Sequence, residues 1–314
     1  MSSLLRHAPR AIGAALLLAA LAGCSDSGTV EPATPALFST TVAFGASLDD
    51  TGNACNLNAA ACTVAPYAAP RVSNGPLWVE LVAQRFGATV TPSRTGGTNF
   101  AFSGARTGPI AGTTQGVPNM VQQVDTYLAS AFTANRAQTL FILNAATVGN
   151  DINDALVQGL VNPQAPVAII NGAVTNIVGM INRLYAGGAR NILVVNSTDI
   201  GRTPLVRGLG ALASATATAL STQFNAALAA QLPGLRTASS GLTLTLLDLG
   251  AVTAEVLATP SAFGFTNVVA PCLVTTAPAS LCTTPDSFFF WDGFHPTAAT
   301  GRLVAARAIT ALGR

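Results

Sequence analysis

After residue 36 the chain repeats one figure: a short apolar run, a polar or glycine-bearing turn, then a segment with helical spacing. The apolar runs are 41–44, 139–143, 191–195 and 242–247, and the helical segments include 118–131, 166–185, 210–232 and 296–312. Strands that read as unbroken apolar runs are buried on both faces, and strands alternating with helices form parallel sheets covered on both sides. The expected fold is therefore α/β, a three-layer α/β/α sandwich with a mostly parallel sheet. No repeat or second compositional zone interrupts the figure, so residues 37–314 read as one domain. Asn74-Gly75-Pro76 is expected to open a helix carrying Leu77, Leu81, Val82 and Phe86, and Pro233-Gly234 to stop the long Ala-rich one.

Charge removes whole classes of chemistry. The 15 basic residues are all Arg. Without Lys there is no Schiff base, no lysine-bound pyridoxal phosphate and no P-loop lysine. The formal net charge of +2 leaves no basic footprint, so no nucleic-acid partner is expected.

The first 23 residues read as a targeting segment. Arg6 and Arg10 precede an apolar run from 11 to 22, which has signal-peptide length and is short for a bilayer span. Its end, Leu21-Ala22-Gly23-Cys24, resembles the lipobox of bacterial lipoproteins, in which the cysteine is lipidated and becomes the first residue. Residues 24–36 are polar and proline-containing, which suits a flexible tether. The expectation is export, with a membrane anchor through lipid on Cys24 in the periplasm or at the cell surface; plain secretion is the alternative. Cleavage also removes His7, leaving His295 alone.

Cys55, Cys62, Cys272 and Cys282 remain if Cys24 carries lipid. Export favours disulfides, and four cysteines allow three pairings. Cys55–Cys62 and Cys272–Cys282 close short local loops and are the expected bonds. A zinc site needs closer cysteine spacing or several histidines, and neither occurs here.

In parallel α/β sheets, ligands sit at the carboxyl ends of the strands. Four polar segments stand there. Ser47, in Phe44-Gly45-Ala46-Ser47-Leu48-Asp49-Asp50-Thr51-Gly52-Asn53, follows the first strand on a turn that exposes its hydroxyl beside free N–H donors. Asp292-Gly293-Phe294-His295-Pro296 holds the lone histidine with an acid three residues ahead, within reach of the imidazole. In Gly96–Arg106, Gly104 can turn its N–H into a site that a side chain would block. Gly149-Asn150-Asp151, read as a turn, offers the Asn150 amide. The Asp49–Asp50 pair is not expected to do acid/base work.

Together these segments resemble the SGNH, or GDSL-type, hydrolase superfamily. Residues 44–53 look like its F-G-D-S-L-x-D-x-G-N block, 97–105 like G-G-x-N-[FY]-A-x-x-G-A, 149–151 like G-N-D, and 290–297 like the F-W-D-x-x-H-P-T block of lipase-like members. The resemblance implies a flavodoxin-like sheet, an ester hydrolase acting through an acyl-serine, and no metal or cofactor. It assigns Ser47 as nucleophile, His295 as base and later acid, Asp292 as its orienting partner, and Ser47 N–H, Gly104 N–H and the Asn150 amide as oxyanion hole. The same site supports acyl transfer, and a catalytically weak surface-binding protein is the rival reading. The family's Asp ahead of the serine, which braces neighbouring loops, is Ala46 here. Phe288–Trp291 and Phe294 read as core packing or as an apolar wall for the acyl chain of a small-molecule or lipid ester. The sequence leaves the oligomeric state open.

Overall fold

The computed structural model describes residues 37–114, 116–132 and 134–313. The targeting segment, Cys24 and the tether lie outside the described residues.

Strands β1 (Thr40–Phe44), β2 (Thr139–Asn144), β3 (Asn191–Val195) and β4 (Thr243–Leu247) form a sheet in that spatial order, each neighbouring pair parallel. The register runs Phe44 opposite Leu143, Leu143 opposite Val194 and Val194 opposite Leu246. Alternate side chains leave opposite faces. Val42, Phe44, Phe141, Leu143, Ile192 and Val194 enter one apolar layer, and Ala43, Leu140, Ile142, Leu193 and Val195 the other. The unbroken apolar runs are thus explained by burial on both sides.

In chain order the helices are α1 (Asn53–Leu57), α2 (Trp78–Arg85), α3 (Met120–Ala129), α4 (Val148–Gly159), α5 (Ala165–Ala186), α6 (Pro204–Gly208), α7 (Ala211–Ala238), α8 (Leu249–Ala258) and α9 (Ala298–Ala311). The stripes of α3, α4, α5 and α7 cover the first face, and those of α2 and α9 the second. α5 is long and apolar enough to cross a membrane by length and composition. Its Ile170, Val174, Ile177, Ile181 and Leu184, at helical spacing, belong to the first apolar layer.

Beyond β1 the chain near Asn99 adds a short parallel bridge, Ala43 N–H to Thr98 O at 3.1 Å and Phe100 N–H to Ala43 O at 2.8 Å. With this stretch counted, β1 has neighbours on both sides and the flavodoxin-like order is recovered. Outside the sheet, β5 (Asn267–Pro271) pairs in parallel with β8 (Phe288–Phe290), and β6 (Leu273–Val274) pairs antiparallel with β7 (Ser280–Leu281). Both expected disulfides are formed, Cys55–Cys62 and Cys272–Cys282.

Three local expectations change. α7 runs through Pro233. Proline removes one helical hydrogen bond, at a cost of about 3 kcal/mol. Leu228, Leu232 and Leu235 carry the buried stripe across it, and Thr237 Oγ1 donates to the Pro233 carbonyl at 3.1 Å. α2 begins at Trp78, after Pro76, with Glu80 accepting from the Leu77 N–H at 2.8 Å. Asn74 instead accepts from the Ala298 N–H at 2.7 Å and so anchors the start of α9. Gly149-Asn150-Asp151 is the first turn of α4 rather than a loop.

Candidate active site

The serine side is built on the end of β1. Ser47 is 7% exposed, and both the Asp49 and Asp50 N–H groups donate back to the Ala46 carbonyl at 3.0 Å. The Asp50 carboxylate accepts from the N–H groups of Gly52 (2.7 Å), Asn53 (2.6 Å), Ala54 (3.1 Å) and Ser103 (2.7 Å). A carboxylate filled by four backbone donors fixes a loop and has no lone pair left for proton transfer. Asn53 and Asn99 continue the network: Asn53 Nδ2 donates to Asn99 O and Ala101 O, and Asn99 Nδ2 to Asp49 O.

Asp49 turns inward. It accepts from Trp78 Nε1 at 2.9 Å and from Asn144 Nδ2 at 2.8 Å, and burial pushes its carboxyl up to about 7. A Cβ on Gly45 would lie 2.1 Å from Asp49 Oδ2, so only glycine leaves room for this side chain. Asn144 closes β2, and its bonds to Asp49 tie the ends of adjacent strands together behind the serine.

The second side joins α4 to residues 102–107. Asn150 Nδ2 donates to Ala105 O at 2.6 Å, which uses one of its two N–H bonds. Asp151 accepts from Thr107 N at 3.1 Å and Thr107 Oγ1 at 2.6 Å, and Arg106 pairs with Asp154. Gly104, between the clamped Ser103 and Ala105, has φ +83°, a conformation that favours glycine. Among the described residues neither the Gly104 nor the Ser47 N–H has a hydrogen-bond acceptor.

The third side carries Asp292 and His295. Asp292 Oδ1 accepts from the N–H groups of Phe294 and His295 at 2.8 Å each, which folds the segment into a tight turn. His295 Nδ1 lies 2.8 Å from Asp292 Oδ2, and Nε2 lies 3.0 Å from Ser47 Oγ. Burial works to raise the Asp292 carboxyl, but the hydrogen bond and charge of His295 and the backbone donors outweigh it and hold it below its ordinary value. With Asp292 ionised, Nδ1 carries the imidazole proton and Nε2 is left to accept from the serine hydroxyl. Nothing in the sequence foretold Tyr67, whose hydroxyl donates to Asp292 Oδ2 at 2.9 Å across 225 residues.

A narrow cavity of about 80 Å³ opens beside Ser47, lined mainly by Leu48, Val195, Ile200, Leu249, Phe289 and Phe294. The aromatic run divides into two pairs: Phe289 and Phe290 line this cavity, while Phe288 and Trp291 pack beside Leu273 and the Cys272–Cys282 disulfide. Ala46, 4% exposed, packs against Phe102 and Ala105. An Asp there would bury a carboxylate in an apolar contact, and loop bracing falls to Asp50, Asn53 and Asn99 instead. Among the described residues no group of three or more His, Cys, Asp or Glu side chains is placed to hold a metal ion.

The GDSL-like Lipase/Acylhydrolase family matches residues 41–308. A GDSL esterase/lipase of Arabidopsis thaliana is 26% identical, over 93% of this chain and 91% of its own. The phosphatidylcholine-sterol acyltransferase of Aeromonas hydrophila is 28% identical, over 75% of this chain and 65% of its own. Among solved structures, a lipase from a goat rumen metagenome covers 87% of this chain and 96% of its own, with a TM-score of 0.48 and 12% identity. The match over nearly all of the described residues, with relatives that are esterases, lipases and acyltransferases, makes this chain a member of the GDSL-like lipase/acylhydrolase family and an ester hydrolase.

Proposed function

We propose that the chain is an exported serine esterase that cleaves carboxylic esters through an acyl-serine at Ser47. The observation that carries this reading is the pair of contacts made by His295, 3.0 Å to Ser47 Oγ and 2.8 Å to Asp292. His295 Nε2 takes the hydroxyl proton as Ser47 Oγ attacks the ester carbonyl, and Asp292 stabilises the imidazolium. The tetrahedral oxyanion is held by the Ser47 and Gly104 N–H groups and the second N–H of Asn150. The imidazolium then protonates the departing alcohol. Water, deprotonated by His295, releases the acid and regenerates the serine.

Apolar lining beside Ser47 favours an apolar acyl group. A second reading keeps the acyl-serine but passes the acyl group to an alcohol instead of water; the acyltransferase relative supports it. Export is supported by the sequence of residues 1–24 and by two disulfides, which persist in oxidising compartments. Lipid on Cys24 would tether the domain through residues 24–36.

Turnover of a series of p-nitrophenyl acyl esters, with and without an added alcohol, tests this. Wild-type protein is expected to hydrolyse the esters and Ser47→Ala to lose the activity. An active Ser47→Ala protein would overturn the reading. Product acyl ester with the added alcohol would favour transfer.

A further inference from the structure

The segment 63–74 crosses from the serine-bearing half of the chain to the histidine-bearing segment and meets it at three points. Tyr67 OH donates to Asp292 Oδ2 at 2.9 Å, Ser73 Oγ donates to Pro296 O at 2.9 Å, and Asn74 Oδ1 accepts from Ala298 N at 2.7 Å. These contacts flank His295 on both sides in sequence. The crossing segment is itself held. Arg71 makes two 2.7 Å bonds to Glu80 on α2, Thr63 Oγ1 donates to Arg71 O at 3.0 Å, and Cys62 is bonded to Cys55. The Tyr67 ring packs edge-on to Trp291, with centroids 6.0 Å apart, so the hydroxyl has a fixed approach to the carboxylate.

We infer that Tyr67 is a positioning residue of the esterase: its hydroxyl fixes the Asp292 carboxylate, and through it the angle at which His295 meets Ser47. The inference rests on the Ser47–His295–Asp292 reading above. Asp292 Oδ1 takes two backbone N–H groups and lies 3.0 Å from His295 Nδ1, whereas Oδ2 makes the shorter contact to Nδ1, 2.8 Å, and accepts the Tyr67 hydroxyl. Oδ2 is therefore the oxygen that meets the imidazole most closely, and a side chain, Tyr67, helps to fix it. Tyr67 is its second donor, and without it that oxygen is held by His295 alone, the ring it has to orient. Burial, followed by the neighbouring carboxylate, pushes the Tyr67 hydroxyl well above its ordinary value, so it stays a donor across the working pH range.

The test uses Tyr67→Phe in the full chain, which keeps the ring on Trp291 and removes one oxygen. With kcat referred to the concentration of sites that react with an organophosphonate, unfolded protein does not count. The expected result is a kcat lower by roughly tenfold, the loss of a hydrogen bond to a charged group, with KM unchanged and a thermal midpoint lowered by only a few degrees. The acid limb of the rate profile should move to higher pH, because a carboxylate relieved of one donor holds the imidazolium more tightly. Asp49 lines the same cavity as Ser47 and is common to both proteins, so the difference between the profiles belongs to Asp292 and His295. A wild-type kcat and profile, or equal changes in kcat and thermal midpoint, would overturn the inference. Ser47→Ala measured alongside separates the claims: if it stays active the triad reading fails, and if it is inactive while Tyr67→Phe behaves as wild type, only the role of Tyr67 fails.

Discussion

Ser47 stands just beyond the carboxyl end of β1 in the main sheet, whereas His295 hangs on a segment outside that sheet, 248 residues away. The two walls are held by different chemistry. Behind the serine, Asp49, Asp50, Asn53, Asn99 and Asn144 are buried and bonded chiefly to backbone and to one another. Around the histidine there are short strands, a disulfide, a crossing segment and backbone bonds such as Leu205 N–H to Gly293 O at 2.7 Å and Leu273 N–H to Trp291 O at 2.6 Å. The serine wall is fixed by burial of polar groups that have no alternative partners, and the histidine wall by tethers from distant parts of the chain. Disturbing the first should therefore cost stability, and disturbing the second should cost rate.

The largest effect removes the base without touching either scaffold. His295→Ala should lower kcat/KM by roughly 10⁴–10⁶ while leaving the thermal midpoint close to wild type, since the described residues hold no second histidine to replace it. Steady-state turnover with a thermal melt checks both halves. A residual rate near wild type would detach the histidine wall from the chemistry.

Asp50→Ala attacks the serine wall. Four backbone donors lose their acceptor, and three of these hold the turn from Gly52 to Ala54. Unfolding in urea should register a loss of about 3 kcal/mol or more, the scale of a charged buried network. A stable but inactive Asp50→Ala protein would blur the contrast between the walls.

Cys282→Ser is the matching disturbance of the histidine wall. The bond spans a sequence separation of 10, and the loop-entropy account gives about 3 kcal/mol for such a loop. Cys272 lies in the cluster with Trp291, directly ahead of Asp292, so kcat should fall in still-folded protein. Reductant should reproduce the loss in wild-type protein. Equal stability loss with an unaltered kcat would show that the disulfide tethers a bystander.

A smaller effect reports on the serine wall through pH. Asp49 has its carboxyl raised from 3.8 to about 7. Between those values the folded state binds the proton more tightly than the unfolded chain. Stability is thus highest below the unfolded value, falls as pH rises toward 7, and levels off above it. Asp151, raised to about 6 by burial, adds a slope of the same sign. The difference between wild type and Asp49→Asn, followed by urea unfolding at several pH values, isolates Asp49. The variant should show the shallower slope; equal slopes would mean that Asp49 is ionised throughout.

The sheet was legible because its strands are buried on both faces, and that demand writes unbroken apolar runs into the sequence. Ser47, Asn150, Asp292 and His295 were singled out because each follows a strand or opens a helix, where backbone donors are free. What remained hidden was non-local. Pro233 sits inside α7 because Leu228, Leu232 and Leu235 bury the stripe on either side of it, and local propensity carries no trace of that. Asn74 has the form of a cap for the next helix and instead serves α9, 224 residues on. Tyr67 lies in a proline-rich stretch with no periodic signal, and its partner is set by the crossing of two chain segments. The loop-bracing role lost at Ala46 could not be reassigned from sequence either, since Asn99 reaches the Asp49 carbonyl, and Asp50 the Ser103 N–H, only after β1 and its neighbour pair.

If the proposed mechanism holds, Ser47 alone forms the covalent intermediate. The most direct test is reaction of the folded wild-type protein with an organophosphonate, followed by peptide mapping. A single adduct is expected, on the peptide that contains Ser47, formed far more slowly in His295→Ala. An adduct on a different serine, in protein that still hydrolyses esters, would contradict it.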